Sequence, residues 1–297
     1  VTNVPVILNP IAGGGRLLRE QARLQAVAAA CGSELDIWIS ESPTHTIELA
    51  ERAAADEHPL ILAYGGDGTY NAVARGLLGS STAMGVLPGG TTSVLAYEFG
   101  VPRPARRGVA ALLAGEDRAM RVARTDAGDL VLLMLSAGPD SHVLGRVRPS
   151  FKRLGGRVGV ALQAVVEAMT GGRLPRIRVA SSAAIGEAGW VIVGNSRCYG
   201  SKFCATPGAD PFRDDLEVVA QQSTGRRAAV SFLLGIPSGR HVARADVVRE
   251  VVDRVRLEPA SPDDAVSYQI DGDVAGVLPV EISIDPQPLW IRLPARR

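Results

Sequence analysis

A chain of 297 residues is long for one compact core and favours two domains of ordinary size. Hydrophobic residues make up 46% and charged residues 21%, with a formal net charge of +1, which excludes a disordered chain and a strongly basic nucleic-acid binder.

The β-branched run Val4 to Leu8 stops at Asn9-Pro10 and Gly13-Gly14-Gly15, the order expected when a buried strand opens into a glycine turn. Arg16 to Ala30 is rich in good helix formers, and Gly32 is placed to end that helix. Alternating Leu35, Ile37 and Ile39 predict a second strand, and Thr46 to Ala55 a second helix. Leu60 to Tyr64 is a third strand, broken by Gly65-Gly66-Asp67-Gly68-Thr69 before a short helix over Asn71 to Leu78. Gly85 to Leu87 repeats the theme before Pro88-Gly89-Gly90-Thr91-Thr92-Ser93 and a helical stretch through Phe99. Strand, glycine turn and helix in succession predict a parallel, doubly wound sheet.

After Val101-Pro102-Arg103-Pro104 and a helix near Arg107 to Leu113 the rhythm changes. From about Arg121 come short β-rich runs: Leu130 to Ser136, Ile177 to Ala180, Trp190 to Val193, Leu216 to Ala220 and Val255 to Leu257. They predict a mostly antiparallel β second domain, interrupted by a helical excursion over Gly159 to Met169. The expected boundary puts 1–122 in an α/β domain and 123–297 in a β-sandwich. Of the final runs, Val280 to Ile284 and Leu289 to Leu293, either domain is open as a partner, so the last strand is free to return to the first.

Three glycine turns, each after an apolar strand, would lie on one edge of a parallel sheet, where loops converge on a ligand. Glycine lets backbone N–H groups approach phosphate oxygens, and the following helix N-terminus favours negative charge. Any one of these turns also reads as a plain strand-to-helix connection. Neither the G-x-G-x-x-G nor the G-x-x-x-x-G-K-[ST] string is present.

Asn9-Pro10 with its glycines, Gly65-Gly66-Asp67-Gly68-Thr69 with Asn71, and Pro88-Gly89-Gly90-Thr91 resemble the nucleotide-binding elements of the diacylglycerol kinase catalytic family, which includes bacterial lipid kinases, sphingosine kinases and ceramide kinases. Leu135-Ser136-Ala137-Gly138-Pro139-Asp140, Lys152-Arg153-Leu154-Gly155, Asn195 with Tyr199-Gly200, Thr206-Pro207-Gly208-Ala209-Asp210 and Gln269-Ile270-Asp271-Gly272-Asp273 extend the resemblance over almost the whole chain. It implies an N-terminal α/β domain, a C-terminal β-sandwich and an active site in the cleft between them. It also implies an ATP-dependent kinase acting on a hydroxyl of a diacylglycerol- or sphingoid-type lipid in phospholipid metabolism.

On that resemblance Asp271 is the general base and Asp67 serves the nucleotide phosphates through Mg2+, a hard ion suited to carboxylate oxygen. Asn9, Pro10, Gly13, Gly65, Gly66, Gly68, Thr69, Asn71, Gly90 and Thr91 belong to the ATP-binding loops, and Ser40 stands where the family has a nucleotide-contacting threonine. By pattern alone, Asp271-Gly272 is equally a hairpin turn and Asp67 a turn residue. Three positions depart from the family: Ser93 replaces an asparagine, Asp273 replaces a glutamate, and Arg213-Asp214-Asp215-Leu216-Glu217 stands where many members carry Asp-Gly, which puts their accessory Mg2+ site in question.

The remaining residues carry weaker signals. Cys31, Cys198 and Cys204 form an odd set without CxxC spacing, indicating neither a disulfide framework nor structural zinc. His45, His58, His142 and His241 lack metal-ligand spacing and read as structural or surface residues. Arg146, Arg148, Lys152, Arg153 and Arg157 surround Phe151 and Leu154, a solvated basic face or a rim for anionic membrane. With no leader-like segment and no apolar run of about 18 residues, the chain is expected in the cytoplasm, meeting a membrane-derived lipid from the surface; homodimerisation stays open. The other readings are an NAD kinase, which shares GGDGT, and a non-catalytic nucleotide-responsive membrane-binding protein.

Overall fold

A computed structural model describes residues 2–90, 92–144, 176–181, 185–200 and 203–295. The chain forms two compact units, Val1–Val122 with Asp285–Arg297, and Ala123–Ile284.

The first unit runs β1 (Thr2–Leu8), α1 (Arg16–Ala30), β2 (Ser33–Ile39), α2 (Pro43–Ala55), β3 (Leu60–Gly65), α3 (Asp67–Leu77), β4 (Ala83–Pro88), α4 (Val94–Glu98), α5 (Ala105–Leu113) and β5 (Glu116–Met120). The last strand among the described residues, β20 (Leu289–Leu293), returns to this unit and inserts between β4 and β5, giving the order β2-β1-β3-β4-β20-β5. All neighbours are parallel except β20 and β5. β3 is buried at every position, the near-continuous apolar run of a strand covered on both faces. The chain steps from β1 one way to β2 and then back past β1 to β3, so right-handed crossovers put α1 on one face and α2 and α3 on the other. The packing of α2 on α3 and of α1 on α5 agrees.

Helix starts follow local chemistry. The Ser42 hydroxyl accepts from the His45 amide at 3.1 Å, with Pro43 at the first helical position. α3 begins at Asp67, not at Asn71 as the sequence suggests, so Asp67, Gly68 and Thr69 form its first turn, with Gly66 as cap. An acidic side chain there suits the positive end of the helix.

The second unit holds β6 (Ala123–Thr125), β7 (Leu130–Val131), β8 (Met134–Ala137), α6 (Pro139–Leu144), β9 (Ile177–Ala180), β10 (Gly186–Ala188), β11 (Trp190–Gly194), β12 (Cys198–Tyr199), β13 (Phe203–Cys204), β14 (Leu216–Gln221), α7 (Arg226–Gly235), β15 (Val247–Val252), β16 (Arg254–Pro259), β17 (Ser267–Ile270), β18 (Asp273–Val277) and β19 (Val280–Ile284). Two antiparallel six-stranded sheets, β10-β9-β16-β19-β6-β7 and β15-β14-β11-β8-β17-β18, form a sandwich. Alternate residues of both sheets, among them Leu135, Val191, Val193, Val218, Val255, Leu257 and Ile282, make one core. α7 has no counterpart among the elements expected from sequence. The expected helix over 159–169 and the basic cluster over 146–157 lie outside the described residues. Among the described residues no helix is long and apolar enough to cross a membrane.

Candidate active site

The reversal of strand order beside β1 makes a switch point at the strand C-terminal ends of the first unit, the place where open α/β sheets bind ligands. Three loops leave that edge from adjacent strands. The Asn9 amide donates to the Tyr64 carbonyl at 3.2 Å, tying the end of β1 to that of β3. The Asn9 side chain donates to the Thr69 hydroxyl at 3.3 Å and its oxygen accepts from the Ile11 amide at 3.1 Å, so this one residue shapes its own turn and holds the next loop. Pro10 follows in the turn, Gly13 lies in a short 3-10 segment, and Ser40, buried at the end of β2, donates its amide to the Leu8 carbonyl at 2.9 Å. Asn71 sits half-buried one turn into α3. Thr91 lies outside the described residues.

The loops after β3 and β4 pack backbone on backbone. A Cβ on Gly90 would stand 2.7 Å from the Gly66 Cα, and one on Gly65 would collide with the Thr69 side chain. Glycine is required at these two positions because neither has room for a side chain. The Gly65 carbonyl accepts from the Gly89 and Gly90 amides at 2.8 Å each and from the Ser93 hydroxyl at 3.3 Å. Ser93 is buried, holds a left-handed φ of 45°, and accepts from the Gly90 amide at 3.1 Å. The Tyr70 hydroxyl lies between the Leu87 carbonyl at 2.8 Å and the Gly65 carbonyl at 3.0 Å. Burial, with the nearby Asp67 charge adding to it, raises the Tyr70 ionisation well above its ordinary value, so the phenol stays a donor.

Asp67 joins the same knot. One carboxylate oxygen accepts from the Thr92 hydroxyl at 3.2 Å and the Val94 amide at 3.0 Å, the other from the Leu95 amide at 3.1 Å. It therefore caps the start of α4 from another loop. Thr92 and Tyr70 were not among the residues singled out from sequence, and Ser93 stood out there only as a departure from the family; the fold shows that all three brace the loops.

The second unit gathers another polar knot, around residues 132–134. Asp271 accepts from the amides of Leu132 at 3.1 Å, Leu133 at 2.8 Å and Met134 at 3.1 Å, and returns its own amide to the Met134 carbonyl at 3.0 Å. The Asn195 side chain and the Ser196 hydroxyl donate to the Leu132 carbonyl at 3.0 and 3.2 Å, and the amides of both go to the Leu133 carbonyl at 2.9 Å. These bonds are why the apolar run from Leu130 to Ser136 divides into β7 and β8. Thr206 binds the Ser196 carbonyl at 2.8 Å. Asp271 and Gly272, at φ 53° and 98°, form the two-residue turn between β17 and β18, both in the left-handed region that Asp-Gly tolerates. The hairpin and the carboxylate clamp are thus one feature. The Gly272 amide donates to the buried Gln269 side chain at 2.7 Å. A cleft lined by Arg178, Asp263, Val277 and Pro279 lies at the open end of this hairpin, away from Asp271.

Asp215, before β14, and Glu217, within it, are spent on ion pairs and backbone amides. Arg213 pairs with Asp215, and buried Glu217 pairs with Arg249 while accepting from the amides of Gly208 at 2.6 Å and Ala209 at 3.1 Å. Among the described residues no group of three or more His, Cys, Asp or Glu side chains could hold a metal ion. His241 is fully buried against Phe232, its Nε2 donating to the Ala205 carbonyl at 2.8 Å. Desolvation depresses its pKa below the usual 6.5.

Two family models match the chain: the diacylglycerol kinase catalytic domain over residues 3–125, and the YegS C-terminal NAD kinase beta sandwich-like domain over residues 135–293. A diacylglycerol kinase of Mycobacterium tuberculosis is 23% identical over 99% of this chain and 96% of its own. One from Bacillus subtilis is 34% identical over 33% of each chain. A crystal structure of a Bacillus anthracis protein described as a candidate diacylglycerol kinase covers 99% of this chain and 95% of its own at a TM-score of 0.80 and 19% identity, a likeness of fold. The chain belongs to the diacylglycerol kinase catalytic family, in the form that carries the C-terminal sandwich.

Proposed function

We propose that this protein is an ATP-dependent lipid kinase that transfers the γ-phosphate to a hydroxyl of a diacylglycerol- or sphingoid-type lipid. The observation that carries the reading is the joined set of glycine turns at the switch point, where Asn9 bonds Thr69 and Gly66 meets Gly90 with no room for a side chain. Such a lining offers backbone N–H groups and the start of α3 to phosphate oxygens. Asp67, with three donors on its roughly four lone-pair positions, keeps one for Mg2+, an ion that takes most of its ligands from phosphate and water. That ion, when bound, offsets the negative charge of the phosphates. The first role of Asp67 is mechanical: it holds the Thr92 to Leu95 segment against the β3 loop.

Asp271 is the proposed acceptor of the lipid hydroxyl proton as the oxygen bonds to phosphorus and ADP leaves. Its three amide donors hold the carboxylate in one orientation, which suits a base that must meet a single hydroxyl. The lipid would come from a membrane surface, with the protein docked there peripherally. The test is transfer of labelled γ-phosphate to mixed-micelle diacylglycerol and sphingoid lipids with Mg2+, with NAD as a parallel acceptor. Labelled lipid is the expected product; label on NAD, or ATP binding without any product, would overturn the reading.

A further inference from the structure

Cys198 and Cys204 are far from a CxxC spacing, yet the fold sets them face to face. β12 and β13 pair antiparallel with Cys198 directly opposite Cys204 and Tyr199 opposite Phe203. Opposed residues of such a ladder alternate between hydrogen-bonded and non-hydrogen-bonded positions. The Ala205 amide donates to the Arg197 carbonyl at 3.1 Å, so the neighbouring Arg197–Ala205 pair is the hydrogen-bonded one. The cysteines therefore occupy the non-hydrogen-bonded position, where Cα atoms stand about 4.5 Å apart and the two side chains share one face at closest approach. That spacing falls inside the Cα separation of about 4.4–6.8 Å that a disulfide spans. Cys198 is buried and Cys204 half-exposed, and neither is bridged.

We propose that Cys198 and Cys204 form a redox modification site, a dithiol that a peroxide closes into a cross-strand disulfide. The half-exposed Cys204 thiolate attacks a peroxide oxygen, breaking the O–O bond to give a sulfenic acid and hydroxide. Cys198 sulfur then displaces the hydroxyl from Cys204, forming the S–S bond. In sum two thiols and one hydrogen peroxide give one disulfide and two waters, and a small dithiol reverses the change. The bridge would staple the stem that follows Asn195 and Ser196, the groups that grip residues 132–133, and leads on its other side to Thr206, which bonds the Ser196 carbonyl. Exposed Cys31, at the C-terminal end of α1, stands outside this hairpin and serves as an internal reference.

The experiment treats the full chain with equimolar hydrogen peroxide, alkylates the remaining thiols, digests with trypsin and maps the products by mass. Cleavage after Arg197, Lys202 and Arg213 places the two cysteines on separate peptides. The expected result is a linked pair of those peptides, lighter by two hydrogens than their sum, with loss of both alkylatable thiols and recovery of both after dithiothreitol. Cys204→Ser abolishes the linked pair, and Cys31→Ser retains it. Alkylated Cys198 and Cys204 beside an oxidised Cys31, or bridges formed mainly through Cys31, would overturn the proposal.

Discussion

Replacing Asp271 by Asn is the natural probe of a catalytic carboxylate, and here it should weaken the fold before it speaks to chemistry. The amide oxygen can still accept from two of the amides of Leu132, Leu133 and Met134, but its NH2 must then face the third, donor against donor. The residues that own these amides are buried, at 1–3% exposure, so water does not rescue the orphan. Leaving one buried N–H without a partner costs about 1–3 kcal/mol, and exchanging a charged for a neutral acceptor in the other bonds adds about 1 kcal/mol. The backbone is not a confounder, because Asn tolerates the left-handed φ of 53° as well as Asp does. With about 2–4 °C of Tm per kcal/mol for a unit of this size, Asp271→Asn should melt roughly 4–16 °C below the parent by calorimetry. A variant that melts within about a degree of the parent would refute the clamp drawn from these bonds. Activity measured well below the variant's Tm then isolates the chemical step. A large fall in kcat in a folded Asp271→Asn protein supports the base, whereas a fall that tracks unfolding does not.

Gly90→Ala drives a Cβ to 2.7 Å from the Gly66 Cα, so it should cost about 1–3 kcal/mol and weaken ATP binding, read by thermal melts with and without nucleotide. Gly68→Ala, in the first turn of α3 with nothing within 4 Å of its Cβ, should leave Tm unchanged or raise it slightly. The depressed pKa of His241 means that the unfolded chain binds a proton more readily than the folded one. Its contribution is complete above about pH 6.5 and declines as pH falls from there towards the folded pKa, so Tm should drop on acidification through that window. A non-titrating His241→Gln variant should show a shallower drop, and identical pH profiles would refute this assignment.

Glycine turns after apolar runs were legible because each is a local event, and their convergence followed from the parallel order of the sheet. The start of α3 was misjudged because glycines on either side of Asp67 read as a turn, while Asp67 at the helix N-terminus and Gly66 as its cap favour helix from the first residue. The single strand expected from Leu130 to Ser136 divides because Asp271, distant in sequence, takes the amides of residues 132–134. No local pattern announces such a bond. The helix over Arg226–Gly235 was readable, with alanines and leucines between Gly225 and Gly235, and was missed among strands. The opposition of Cys198 and Cys204 depends on hairpin register, which spacing alone does not give.

The place of β20 has a consequence for how the chain is made. Residues 289–293 complete a sheet whose other members have emerged by residue 120, with the entire second unit synthesised in between. On the ribosome β4 and β5 must wait with the gap between them unfilled, exposing Met84 and Ala119, which later sit beside Ile291 and Trp290. The sandwich can therefore mature while the nucleotide-type unit is still incomplete, reversing the usual N-terminal-first order. A released chain ending before Leu289 should hold a protease-resistant second unit and a first unit still open to cleavage.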